Sequence, residues 1–144
     1  MEDVEFVKQG PVEEGELVAL YASVGWSSYT DHPERLTNAI EGSSFVVTAR
    51  RRGELVGLAR TVSDDASIVY LQDIVVDPIH QGSGIGRKLI SIVIDRYAHV
   101  RQKVLLTDDE NRQHAFYRSF GFSDVNDIDQ LHAFVRFDSG TAGG

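Results

Sequence analysis

Residues 68–89 read IVYLQDIVVDPIHQGSGIGRKL, a β-branched apolar run to Val76, a break at Asp77 and Pro78, and a glycine-rich turn that opens into a helix. Glycines at alternate positions, Gly82, Gly84 and Gly86, strip side chains from the turn. Backbone N–H groups are left open there, beside the positive end of the following helix. Such a turn suits a phosphate. The run at 67–76 and the helix expected over about 85–98 each carry apolar faces, so the turn is held between two buried elements and costs little ordering on binding.

Three families use glycine turns for phosphate. A Walker loop ends in Gly-Lys followed by Ser or Thr, but here Gly86 precedes Arg87, Lys88 and Leu89. A dinucleotide fingerprint, G-x-G-x-x-G, fits in part: Arg87 stands where its third glycine would be, although residues 104–107 do lead to acidic Asp108 and Asp109. The third pattern, Gln or Arg, two residues, Gly, one residue, then Gly or Ala, is met in full by Gln81-Gly82-Ser83-Gly84-Ile85-Gly86.

On that loop the chain resembles the GNAT superfamily of acyl-CoA-dependent N-acyltransferases. The resemblance continues through Asp73–Pro78 before the loop and Asn111, Phe116-Tyr117 and Gly121-Phe122 after it, covering 68–122, a little over a third of the chain. It implies an α/β (α+β) single-domain fold over 1–138 with a flexible tail at 139–144. The sheet is expected to be mixed, mostly antiparallel, with about six to seven strands flanked by about four helices. It implies acetyl-CoA as cosubstrate, held at Gln81, Gly82, Ser83, Gly84, Ile85, Gly86 and Arg87. In the family the strand before the loop splays from its neighbour and frees a backbone amide for the thioester carbonyl, a role that falls here to Val75 or Val76. Asn111 would meet the pantetheine arm and Tyr117 would protonate the leaving thiolate. The run QDIVVDP at 72–78 is also similar to small arylalkylamine acetyltransferases of plants and bacteria.

Composition bounds the rest. At 144 residues and 42% hydrophobic, the chain suffices for one core. The absence of cysteine removes disulfides, thiolate metal sites and a cysteine nucleophile, and neither His32 nor His80 has a partner at metal-ligand spacing, so no metal is expected. The acidic N-terminus lacks an apolar leader and no apolar run nears the roughly 20 residues of a bilayer span. A cytoplasmic protein without membrane partners is expected. Of the net charge of −8, nearly all falls within residues 1–34, which hold eight acidic residues and one lysine. That surface repels nucleic acid; it either serves solubility or favours a protonated amine.

Along the chain, strands are expected at 4–8, 45–49, 55–62, 67–76, 103–107 and 131–137, and helices at 12–24, 33–41, 85–98 and 113–120. The helix between 67–76 and 103–107 makes those two strands parallel through a right-handed crossover. Asp31 or His32 can cap the second helix, with Glu34 completing a box; residues 108–111 can cap the last one, and Gly121 is its left-handed stop.

Candidate side chains each carry two readings. Tyr117 beside Phe116 and Phe120 is by composition a core residue; the family position makes it a general acid, protonated at neutral pH. Asn111 is a helix cap or a pantetheine contact. The amine must lose a proton, through a base or an ordered water chain. Asp73, a carboxylate inside an apolar strand, is the first candidate base, or it sits on an open face or at a bulge. Glu34, Asp64 and Asp65 are weaker candidates, and His114 is expected to face solvent. Trp26 and Tyr29 either close the core or wall an acceptor pocket suited to an amine with an apolar or aromatic body. The leading function is acetyl transfer from acetyl-CoA to a small primary amine by direct attack in a ternary complex. The rivals are a CoA-binding regulator without turnover and a protein-lysine acetyltransferase. A homodimer is left open.

Overall fold

Strands rich in β-branched residues pair here in chain order; short turns join β2 to β3 and β3 to β4, while helices separate the outer two from their neighbours. The computed structural model describes residues 3–138. Strands β1 (Val4–Lys8), β2 (Phe45–Arg51), β3 (Glu54–Ser63), β4 (Ile68–Val76) and β5 (Gln102–Leu105) form one sheet in the order β1-β2-β3-β4-β5. The first three pairings are antiparallel and β4–β5 is parallel, as the intervening helix requires. Arg52 and Gly53, both at positive φ, turn β2 into β3. Asp64 closes the next turn by accepting from the amides of Ala66, Ser67 and Ile68.

The described residues form five α-helices: α1 (Glu14–Ser23), α2 (Ser27–Thr30), α3 (Pro33–Glu41), α4 (Ile85–Arg96) and, in the segment after the sheet, α5 (Asn111–Arg118). Helix α1 begins with a reciprocal capping box between Glu13 and Glu16, the box that the sequence places at Asp31 and Glu34. Helix α3 instead starts on His32 without a side-chain cap, its Pro33 supplying the preset first turn. Where the sequence reads 25–29 as a plain break, the chain makes the single turn α2.

One face of the sheet packs on α1 and α3 through Leu17, Leu20, Tyr21, Leu36, Ile40, Val46, Leu55, Leu58 and Val75. The other receives α4. There Gly57 stands so close to the helix that a Cβ would lie 3.1 Å from Ile85 and 3.3 Å from Leu89. Two β-bulges interrupt the alternation. Val56 is the extra residue between the pairs Ala49–Gly57 and Arg50–Leu55, and Gln72 is the extra residue between Thr61–Leu71 and Arg60–Asp73.

One expectation is corrected. Residues 131–137 form no strand: they carry no ladder, and Phe134 and Phe137 are 95% and 70% exposed, so alternation alone did not secure a pairing partner. The described sheet therefore has five strands, and α2 raises the helices to five. The described residues group into two compact units, the first ending at Leu105 and the second beginning at Leu106. The tail expected at 139–144 lies outside the described residues. Among the described residues no helix is long and apolar enough to cross a membrane.

Candidate active site

The glycine turn is built by its own polar side chains. Asp77 ends β4 by accepting from the Ile79 amide at 3.0 Å, and Pro78–His80 form one turn of 3₁₀ helix. Gln81 Nε2 donates to the Val76 carbonyl at 3.0 Å and Ser83 Oγ to the His80 carbonyl at 2.6 Å. These donors occupy loop carbonyls. Gly82 and Gly84 hold φ values of 85° and 92°, a region that L side chains resist. Gly84 is the N-cap of α4 and offers no side-chain cap; the first amide to bond back along the helix is that of Lys88, to Gly84 O at 3.1 Å. The amides of Ile85 and Gly86 precede that first helical bond, and the opening amides of a helix are the donors an anion cradle uses.

The strand leading into this loop is partnered on only part of one edge. Strand β5 pairs with β4 at Ile68 through Leu71 and stops at Leu105, while β4 runs on along β3 to Val76, opposite Gly57. The parting of β4 from β5 coincides with the Gln72 bulge. Val75 is buried and Val76 is half-buried, and both lie on the stretch beyond the last β4–β5 rung.

The same bulge turns Asp73 toward α1 and α3. Asp73 is 3% exposed, and its Oδ2 lies 2.6 Å from Arg60 Nε on β3, itself 6% exposed. Tyr21 of α1 donates to Oδ2 at 3.0 Å and Tyr29 of α2 to Oδ1 at 3.2 Å. Arg60 Nη2 in turn donates to Tyr29 Oη at 3.0 Å, and Nη1 reaches Ser43 Oγ at 3.3 Å. Burial works against the Arg60 charge, but the Asp73 carboxylate outweighs it and holds the guanidinium above its ordinary pKa. Burial, and then the Asp73 charge, push the Tyr21 phenol well above its usual value. Asp73, read as a candidate base or as a residue on an open face or at a bulge, thus stands beside the bulge, buried and paired with Arg60.

Trp26 and Tyr29 belong to one aromatic group with Tyr21, whose ring centroid is 5.8 Å from Trp26 and 5.0 Å from Tyr29. Tyr29 packs against the α1–α3 core, and Trp26 stays 36% exposed at the head of α2. Glu34 lies exposed in the first turn of α3; Asp64 is spent on its turn, and Asp65 pairs with Arg96 and His99.

In the second unit, Glu110 rather than Asn111 occupies the N-cap of α5, and Asn111 is its exposed first residue. Tyr117 is 8% exposed, with ring centroids of Phe116 and Phe122 at 5.1 Å and 6.1 Å. Burial, aided by the Asp108 charge, pushes its phenol up to about 12. Gly121, at φ 90°, ends the helix as expected, and the Phe122 amide closes back on Tyr117 O. His114, expected to face solvent, is half-buried, 3.8 Å from Asp109. Among the described residues no group of three His, Asp or Glu could hold a metal ion.

Sequence reasoning missed Arg60 and Tyr21. The signal was available: Arg60 interrupts LVGLARTV as Asp73 interrupts IVYLQDIVV, and opposite charges in adjacent buried strands call for pairing.

Residues 13–137 match the family described as acetyltransferase (GNAT) domain. Over 136 residues the chain is 29% identical to histone acetyltransferase TAP1 of Glycine max, a match covering 85% of this chain and 57% of that protein. The chain spans about half the length of the curated relatives it matches. A GNAT-family acetyltransferase from Streptococcus pneumoniae superposes with a TM-score of 0.82 at 28% identity, over 94% of this chain and 98% of that one. An aminoglycoside N-acetyltransferase in complex with CoA shares the fold with a TM-score of 0.68 at 16% identity, over 92% and 93% of the two chains.

Proposed function

Because the chain belongs to the GNAT acetyltransferase family, we propose that it transfers the acetyl group of acetyl-CoA to a primary amine, with a small amine of apolar or aromatic body as the acceptor. Acetyl-CoA is the family's acyl donor and the cosubstrate here. The observation that carries the reading is the conjunction of an unpartnered β4 edge from Gln72 to Val76 with a glycine cradle immediately after it.

In this reading the cradle from Gln81 to Arg87 takes the pyrophosphate, and binding energy on those remote phosphates orients the thioester. A free amide at Val75 or Val76 polarises its carbonyl. The amine nitrogen attacks the carbonyl carbon, the C–N bond forms and the C–S bond breaks with its electron pair leaving on sulfur. The nitrogen loses a proton to ordered water, and the thiolate takes a proton from water in turn. Tyr117 is the donor to sulfur. With its phenol near 12, full transfer to a thiolate of pKa about 8.5 runs uphill by roughly 5 kcal/mol, so it serves as a hydrogen-bond donor that steadies the thiolate. Asn111 meets the pantetheine arm. Trp26 and Tyr29 wall the acceptor.

A second reading, acetylation of a protein lysine, is favoured by the activity that the Glycine max relative's name carries and by the acidic residues 1–34. The test is thiol release from acetyl-CoA with small amines and basic peptides assayed side by side. Release with small arylalkylamines supports the first reading, and release with peptides alone supports the second. Tight CoA binding with no release for any acceptor, and no effect of Tyr117→Phe, marks a CoA-binding regulator and rejects both.

A further inference from the structure

Tyr29 Oη is saturated. A phenol has a single hydrogen to give and two lone pairs to share; here it donates to Asp73 Oδ1 at 3.2 Å and accepts from Arg60 Nη2 at 3.0 Å and Gln72 Nε2 at 3.3 Å. All three partners come from the sheet, two of them from β4 at its bulge. Gln72 is the bulged residue and the first beyond the last β4–β5 rung. Helix α2, by contrast, is a single turn of four residues without a side-chain cap and with no buried residue of its own. The Tyr29 hydroxyl thus ties this short helix to the edge of β4 at its bulge.

We propose that Arg60, Asp73 and Gln72 are positioning residues that act through Tyr29, fixing the Trp26–Tyr29 wall against the open edge of β4 and thereby setting acceptor affinity. The inference rests on the proposed acetyl-transfer reading, with that wall as part of the acceptor site. Asp73 acts as an acceptor of hydrogen bonds and takes no proton from the amine. Arg60 lies against the buried Asp73 carboxyl, which accepts from the Tyr29 and Tyr21 hydroxyls. Tyr21, ring to ring with both Trp26 and Tyr29, passes the same constraint to the wall from the α1 side.

The test is steady-state kinetics of Tyr29→Phe, Asp73→Asn and the double variant with the best acceptor amine. Tyr29→Phe keeps the ring and removes only the partly buried hydroxyl, so folding is not at stake. It is expected to raise amine KM about tenfold, the loss that follows from one charge-assisted hydrogen bond, with kcat falling no more than about threefold. Acetyl-CoA KM and the pH profile of kcat/KM stay as in the wild type. Asp73→Asn raises amine KM in the same direction, and the double variant is less than additive because both act on one hydroxyl. An Asp73→Asn enzyme that loses the acidic limb of its pH profile while Tyr29→Phe keeps its amine KM overturns the inference and restores Asp73 as a base. If the wild type itself releases no thiol with any acceptor, the acetyl-transfer reading fails and the inference falls with it. If the wild type turns over and Tyr29→Phe leaves amine KM unchanged, the inference alone is overturned.

Discussion

Leu71 of β4 stands opposite Leu105 of β5 in the last rung of the parallel ladder, and β4 then continues to Val76 without that neighbour. The next residue, Gln72, is a bulge on the β3 side as well. One position therefore both opens the edge of the strand and reverses which parity of its side chains meets α1 and α3. From there the strand delivers the chain directly into the glycine turn.

The turn depends on two left-handed glycines. Gly84→Glu is expected to weaken CoA binding by about a hundredfold or more, since a carboxylate would enter an anion site and β-carbon strain at φ 92° adds about 1–2 kcal/mol locally. Calorimetric titration with CoA, with circular dichroism to confirm a retained fold, reads the outcome. Unchanged affinity would remove the cradle from the site.

Gly57 fixes how closely α4 approaches the sheet. Gly57→Val must displace Ile85, Ala49 or Leu89, which a Cβ alone already meets at 3.1–3.3 Å. A loss of about 1–3 kcal/mol in urea unfolding is expected, together with a raised KM for acetyl-CoA, because Ile85 opens the helix that carries the cradle. A stability loss without any change in acetyl-CoA KM would separate packing from binding.

The buried pair is costly to break from one side. Arg60→Met leaves the Asp73 carboxylate in the core without its counter-ion, and about 3–5 kcal/mol of stability should be lost; Arg60→Met with Asp73→Leu should recover most of it. Chemical denaturation of the three proteins decides, and equal losses in the single and double variants would contradict the role of the pair.

Raised phenols make the fold sensitive to alkali. Tyr117 is held near 12 in the native chain against about 10 unfolded, so the unfolded state gives up its proton first as pH rises. The contribution is intact below pH 10 and is lost between pH 10 and 12, reaching about 2–3 kcal/mol, with Tyr21 acting in the same direction. Unfolding measured at pH 9 and pH 11 should show a fall about 1 kcal/mol smaller in Tyr117→Phe than in the wild type. Equal falls would mean that the phenol is not held up.

Much of this protein was written in local patterns. The run IVYLQDIVV predicts a strand, Asp77-Pro78 its end, and Gly82 and Gly84 a turn whose φ values do lie in the left-handed region. The helix between two strands predicts their parallel pairing. Residues 131–137 show where such patterns stop: alternation marks a segment able to be a strand, but a ladder needs a partner in register, and neighbouring residues carry no information about one.

What the sequence by itself determined, then, is the order of elements from β1 to α5, α2 apart, and the left-handed glycine turn, because these depend on backbone preferences and on contacts a few residues long. The tertiary structure alone decided that Asp73 meets Arg60, Tyr21 and Tyr29. That meeting requires one extra residue in β4 to reverse the strand's facing and two helices to arrive on the same side. The cost of leaving a carboxylate bare in the core is what makes it obligatory.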